Sequence, residues 1–139
     1  MNLIPDFFAF DPNLRSGVYV TAGDYNGDGY ADIAYSTGTT GGPRIRVVSG
    51  LELVDNPGAD VSSLPALADF YALDPNDRNG IRIGSVTMTG SSQSVLLVGS
   101  GSTSNDIVRV IPIDQMNVPT SPLINPFSSP NTIDGVYVS

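Results

Sequence analysis

The chain has no cysteine, no histidine, no lysine and no tryptophan. Without cysteine it can build neither a disulfide framework nor a thiolate metal site, and without histidine it lacks the usual transition-metal ligand and the usual general base. Zinc proteins and histidine-based triads are therefore excluded. Without lysine, the six basic residues are all arginine, and they face 14 acidic residues for a formal net charge of −8. Nucleic acid and anionic membrane are poor partners for such a surface, whereas a divalent cation is a good one. No apolar run approaches the roughly 20 residues that span a bilayer, so membrane insertion is not expected. The N-terminal "MNLIPDFFAF" carries Asp6 where an export signal carries basic residues, so an export signal is expected to have been cleaved or left out.

What is present is turn chemistry. Fifteen glycines and 11 prolines punctuate 139 residues, and helix formers are sparse against them, which predicts an all-β chain of ordinary single-domain length. The punctuation also repeats. "DPNLRSGVYV" at residues 11–20 aligns with "DPNDRNGIRI" at 74–83, an offset of 63 that runs on without a gap. It pairs Phe7 with Phe70, Ala9 with Ala72, Gly27 with Gly90, Gly38 with Gly101, Arg46 with Arg109 and Val47 with Val110. A third copy opens in "PNTIDGVYVS", ending at Ser139. A chain ending inside a recurring unit is expected to be a piece of a longer array, or to have its last sheet completed by another segment.

Within each unit short stretches alternate with period 2, the mark of half-buried strands. Val18 and Val20 alternate with Tyr19 and Thr21, Ala31, Ile33 and Tyr35 with Asp32, Ala34 and Ser36, and Ile45 and Val47 with Arg44 and Arg46. "SVLLVGS" at 94–100 is apolar on both faces, as in a sheet covered on each side. "FFAFDP" and "DFYALDP" add one strand per unit, which makes four strands in about 60 residues, the content of a β-propeller blade. The organisation expected is repeat unit 1 over residues 1–50, a connecting loop over 51–69, a degenerate unit 2 over 70–114, and a proline-rich connector with the first strand of a third unit over 115–139. One helical turn is expected at "LPALAD".

The most specific chemistry lies in "DYNGDGYAD", residues 24–32. With Asp24 as position 1, Asn26, Asp28, Tyr30 and Asp32 fall at positions 3, 5, 7 and 9, and Gly29 at 6 permits a sharp turn. Calcium takes about six to eight oxygens, and odd positions of a tight loop aim at one point. The spacing therefore predicts a Ca²⁺ site made by the side chains of Asp24, Asn26, Asp28 and Asp32 with the carbonyl of Tyr30. An EF-hand is excluded, because position 12 is Tyr35 and both flanks alternate as strands. A solvated turn would also use Asp, Asn and Gly, but three carboxylates so close repel one another without a counter-ion. At the equivalent places unit 2 has Thr87, Thr89, Ser91 and Val95, so it is expected to bind no metal.

Residues 17–50, "GVYVTAGDYNGDGYADIAYSTGTTGGPRIRVVSG", resemble the FG-GAP (VCBS-like) repeats of integrin α-subunit β-propellers and of large secreted bacterial proteins. The resemblance rests on Gly23 with the DxNxDGxxD loop, the strand "ADIAYS", and "GTTGGP" followed by "RIRVVSG", although no Phe-Gly dipeptide occurs. It implies a calcium-binding β-hairpin, an extracellular or cell-surface setting, and a role in adhesion, ligand binding or assembly.

Other signals are weaker. The matched pairs Arg15 with Arg78 and Arg46 with Arg109 are expected to pair with aspartates of their own unit rather than to form an anion site. A sugar-stacking platform, as in an accessory module of a secreted enzyme, would want the tryptophan the chain lacks. A serine nucleophile would want a lysine or histidine base, so the chain is not expected to be an enzyme. Expected partners are a protein or glycan ligand, or further copies of the chain joined through open strand edges into a surface layer or filament.

Overall fold

The computed structural model describes residues 4–101 and 108–116. The fold is all-β, with two antiparallel sheets arranged as in a propeller-like repeat module. In the first sheet β1 (Val18–Gly23), β2 (Asp32–Thr37), β3 (Arg44–Val48) and β4 (Ala66–Tyr71) lie in chain order. In the second, β5 (Ile81–Thr87), β6 (Ser94–Ser100) and β7 (Val108–Ile111) do the same. Pairing is in register from end to end of each hairpin, Val18 opposite Thr37 to Gly23 opposite Asp32 in one, and Ile81 opposite Ser100 to Thr87 opposite Ser94 in the other. The expected third unit lies outside the described residues, as does most of the connector before it.

Alternation places the core. Between the sheets pack Tyr25, Ala34, Ile45, Val47 and Ala68 from the first unit's side against Ile81, Ile83, Leu96, Val98 and Ile111 from the second. Burial of this apolar surface is the main force holding one sheet on the other. On the far side of the first sheet, Tyr35 and Val48 pack with Leu53, Val61 and Leu64, and Ile4, Phe7, Ala9 and Phe10 close over them. Phe7 and Phe10 meet the Tyr35 ring edge-on at centroid distances of 5.8 and 5.5 Å, a favoured aromatic geometry.

Three local expectations change. "FFAFDP" is no strand. By the 63-residue offset its first two residues match the end of β4, which pairs with the β3 before it; no β3 precedes "FFAFDP" among the described residues, and Phe7 and Phe10 pack on a sheet face instead. The helical turn expected at "LPALAD" is strand β4, held to β3 with Asp69 opposite Arg46 and Phe70 opposite Ile45. Helix forms earlier, as α1 (Gly50–Asp55), where Ser49 caps the Glu52 amide and Leu53 is buried. Ser49 and Glu52 have the S-x-x-E spacing of a capping box, and a 3-10 turn at Val61–Ser63 starts from an Asp60 cap.

The arginines also find partners other than those expected. Arg44 makes a two-pronged ion pair with Asp69, at 2.7 and 2.8 Å. Arg46, Arg78 and Arg109 instead donate to backbone carbonyls, those of Leu64, Pro75 and Ala72.

Candidate metal loop of the first hairpin

The hairpin β1–β2 must turn after Gly23 and return at Asp32, and the eight residues between wind tightly because Gly27 and Gly29 take φ of +79° and +87°. Those are left-handed values that glycine adopts at little cost. The winding points successive backbone N–H groups inward, and the side chains at odd positions collect them. Asp24 Oδ1 accepts from the amides of Gly27 (2.7 Å) and Asp28 (3.1 Å), and its Oδ2 from that of Gly29 (2.9 Å). Asn26 Oδ1 accepts from the Asp28 amide at 3.0 Å, and Asp28 Oδ1 from the Tyr30 amide at 2.8 Å. The Asn26 side-chain amide donates to Asp28 Oδ2 at 2.8 Å. Asp24 and Asn26 thus share the Asp28 amide, and Asn26 bonds the Asp28 side chain, so the three form one hydrogen-bonded cluster.

Asp32 has a different task. It is fully buried, with Oδ2 accepting from the Tyr25 amide at 2.9 Å and Oδ1 from the Gly50 amide at 3.0 Å. Burial pushes its carboxyl above the ordinary aspartate range, while those amides pull it back down. One side chain thereby ties the start of the loop to the start of α1. Tyr25, although it lies in the loop, is wholly buried between the sheets, where desolvation pushes its hydroxyl up.

The loop is also fastened to the second sheet. The Ser94 amide donates to the Asp24 carbonyl at 2.7 Å, and the Gln93 side chain to the Asn26 carbonyl at 3.0 Å. Gly23 lies so close that a Cβ there would meet Ser85 Oγ and sit 2.9 Å from Ser94 Cβ. The turn is therefore part of the junction between sheets, not a free tip.

The donor chemistry fits a hard cation: two carboxylates, a side-chain amide oxygen and a carbonyl, with a third carboxylate at the loop's base. An ionised carboxylate offers about four lone-pair sites. Asp32 uses two of them on the backbone and Asp24 three, so both retain acceptor capacity. Among the described residues no group of three or more carboxylate, imidazole or thiolate side chains is gathered as a metal site, because Asp32 is turned to the backbone. The corresponding turn of the second sheet carries no carboxylate, and Ser91 closes it locally on Gln93.

Sequence reasoning missed the bracing role of Asp32, the burial of Tyr25 and the contact of Gln93. The first was signalled by register, since Asp32 shares a face with the buried Ala34, two residues on in β2. The contact of Gln93, from 67 residues away in sequence, had no local sign.

Compared with known families, residues 17–43 match the FG-GAP repeat. The match takes in β1, the loop, β2 and the glycine turn, and stops before β3. No curated protein and no solved structure matches the chain. Among the described residues no helix is long and apolar enough to cross a membrane.

Proposed function

We propose that the chain is a calcium-binding repeat module of an extracellular or cell-surface protein, serving adhesion, ligand binding or scaffolding rather than catalysis. The ligands are Asp24, Asn26, Asp28, the Tyr30 carbonyl and Asp32. The observation that carries this reading is the cluster of Asp24, Asn26 and Asp28, in which each of the three side chains accepts from backbone amides of the loop. The match of residues 17–43 to the FG-GAP repeat supports it. A bound Ca²⁺ supplies positive charge where two carboxylates crowd, so it stiffens a loop on which Gln93 and Ser94 rest. The function is thus structural: metal at the hairpin holds one sheet against the next. A protein or glycan is the ligand class for such a module, and nucleic acid is not.

The test is thermal. Asp28→Ala lowers the melting temperature more in millimolar calcium than in chelator, where only the exposed bonds from the Tyr30 amide and the Asn26 side chain are lost; an equal loss in both would show that the side chain serves the loop without a metal. A second reading, a subunit of a self-assembling layer or filament, is favoured by the exposed valines Val18 and Val20 of β1 and Val86 and Val110 of the second sheet among the described residues.

A further inference from the structure

Asparagine precedes glycine at two places in the chain, Asn26 before Gly27 and Asn79 before Gly80. A glycine nitrogen has no Cβ beside it, so it can reach the Cγ of the asparagine before it and close a succinimide ring, an approach that a side chain at the second residue hinders. Whether the ring closes in a folded chain depends on what holds three atoms: the attacking nitrogen, the carbonyl Oδ1 and the leaving Nδ2.

The two sites are held differently. The Asn79 amide donates to Asp77 Oδ1 at 2.9 Å and its side chain donates to the same oxygen. A Cβ on Gly80 would collide with the Gly38 backbone, and the Asn79 carbonyl lies against Gly101. Freeing Asn79 therefore means separating packed backbone. Asn26 is half-buried, with Gly27 and Asp28 exposed beside it. Its reacting atoms are held by exposed hydrogen bonds. The Gly27 amide donates to Asp24 Oδ1 at 2.7 Å, Asn26 Oδ1 accepts from the Asp28 amide at 3.0 Å, and Asn26 Nδ2 donates to Asp28 Oδ2 at 2.8 Å. Bonds of this kind open locally at a small fraction of the cost of unfolding the chain.

We propose that Asn26 is a site of spontaneous covalent modification, guarded by the carboxylates of Asp24 and Asp28 and open to reaction whenever the loop opens. The freed Gly27 nitrogen attacks Asn26 Cγ, and Nδ2 leaves as ammonia, taking up in exchange through solvent the proton that the Gly27 nitrogen loses. Water then breaks one of the two carbonyl bonds to nitrogen in the ring and leaves aspartate or isoaspartate at position 26. One water is consumed, one ammonia is released, and nothing is oxidised or reduced.

Isoaspartate is the product with consequences for the fold. Its main chain runs through the former side-chain carbon and is one methylene longer, and the former main-chain carbonyl becomes a free carboxylate. That carbonyl is the one to which the Gln93 side chain donates from the second sheet, at 3.0 Å. The modification therefore loosens the loop from the neighbouring sheet, and loss of ammonia makes it one-way. The inference goes beyond the calcium reading and stands without a bound cation.

The test uses the full chain in chelator at mildly alkaline pH, below its thermal transition, with peptide mass spectrometry following conversion at both positions. In urea Asn26 and Asn79 are expected to react at similar rates, since glycine follows each. In the folded wild type Asn26 is expected to react more slowly than in urea, yet well ahead of Asn79. Asp24→Ala is expected to raise the ratio of the Asn26 rate to the Asn79 rate about fivefold or more, the factor carried by one ordinary hydrogen bond, and Asp28→Ala by less. Global unfolding speeds both positions and moves that ratio toward unity, so a raised ratio reports the loop alone. Chain carrying isoaspartate at position 26 is expected to melt below unmodified chain. Three results overturn the proposal: Asn26 no faster than Asn79 in the folded wild type; a ratio unchanged or lowered in both variants; or isoaspartate chain that melts with the unmodified one.

Discussion

Replacing Asp32 by alanine in the absence of calcium tests its bracing task apart from its proposed place among the metal ligands. Its two carboxylate oxygens hold the amides of Tyr25 and Gly50, at 2.9 and 3.0 Å, in a fully buried setting. Leaving a buried donor unpaired costs about 1–3 kcal/mol. Two such donors are orphaned here, while the cost of burying the Asp32 charge, visible as its raised pKa, is relieved. The net loss expected for Asp32→Ala is about 2–4 kcal/mol, a large share of the roughly 5–15 kcal/mol that holds a domain together. Asp32→Asn keeps one acceptor and turns a donor toward the other amide, for a loss of about 1–3 kcal/mol. The assay is urea unfolding in chelator, so that no cation contributes. With a slope of roughly 2 kcal/mol per molar, the alanine midpoint falls by roughly 1–2 M. An Asp32→Ala midpoint indistinguishable from wild type in chelator would refute the bracing role, and with it the claim that one side chain couples the loop to α1.

Gly80 takes φ +66°, and a Cβ there would collide with the Gly38 backbone, so Gly80→Ala is expected to cost about 2 kcal/mol or more by thermal unfolding. Phe7→Ala removes one of two rings packed on Tyr35 at a partly covered site. Its expected loss is about 1–3 kcal/mol, below the range for fully buried phenylalanines. Arg44→Ala breaks the pair with Asp69, whose side chains are 43% and 31% exposed. Solvent screening holds that loss to about 1 kcal/mol or less, and it shrinks further in high salt.

The all-β class and the repeat were legible because both are carried by local pattern. Period-2 alternation located β1, β2 and β3, a run apolar on both faces located β6, and glycine with aspartate or asparagine marked the turn between β1 and β2. "LPALAD" misled because its composition suits a helix, while its neighbour β3 offers an edge that only a strand can pair. "FFAFDP" misled in the opposite way: its pattern suits a strand, but a strand needs a partner. Within the loop, spacing identified Asp24, Asn26 and Asp28, which the structure gathers. It placed Asp32 with them but did not show its second task, because spacing counts side chains and does not see the Gly50 amide, 18 residues on, that one of its oxygens accepts from.

Isothermal titration of calcium into metal-stripped protein bears most directly on the central claim, that the first hairpin is built around a cation. One site is expected, with affinity in the range of extracellular modules, roughly 10⁻⁴ to 10⁻³ M. It should disappear in Asp24→Ala and Asp28→Ala and be untouched by changes at Thr87, Thr89 or Ser91. No binding heat and no shift of the melting temperature at calcium concentrations well above that range would contradict it, as would a site that survives loss of Asp28.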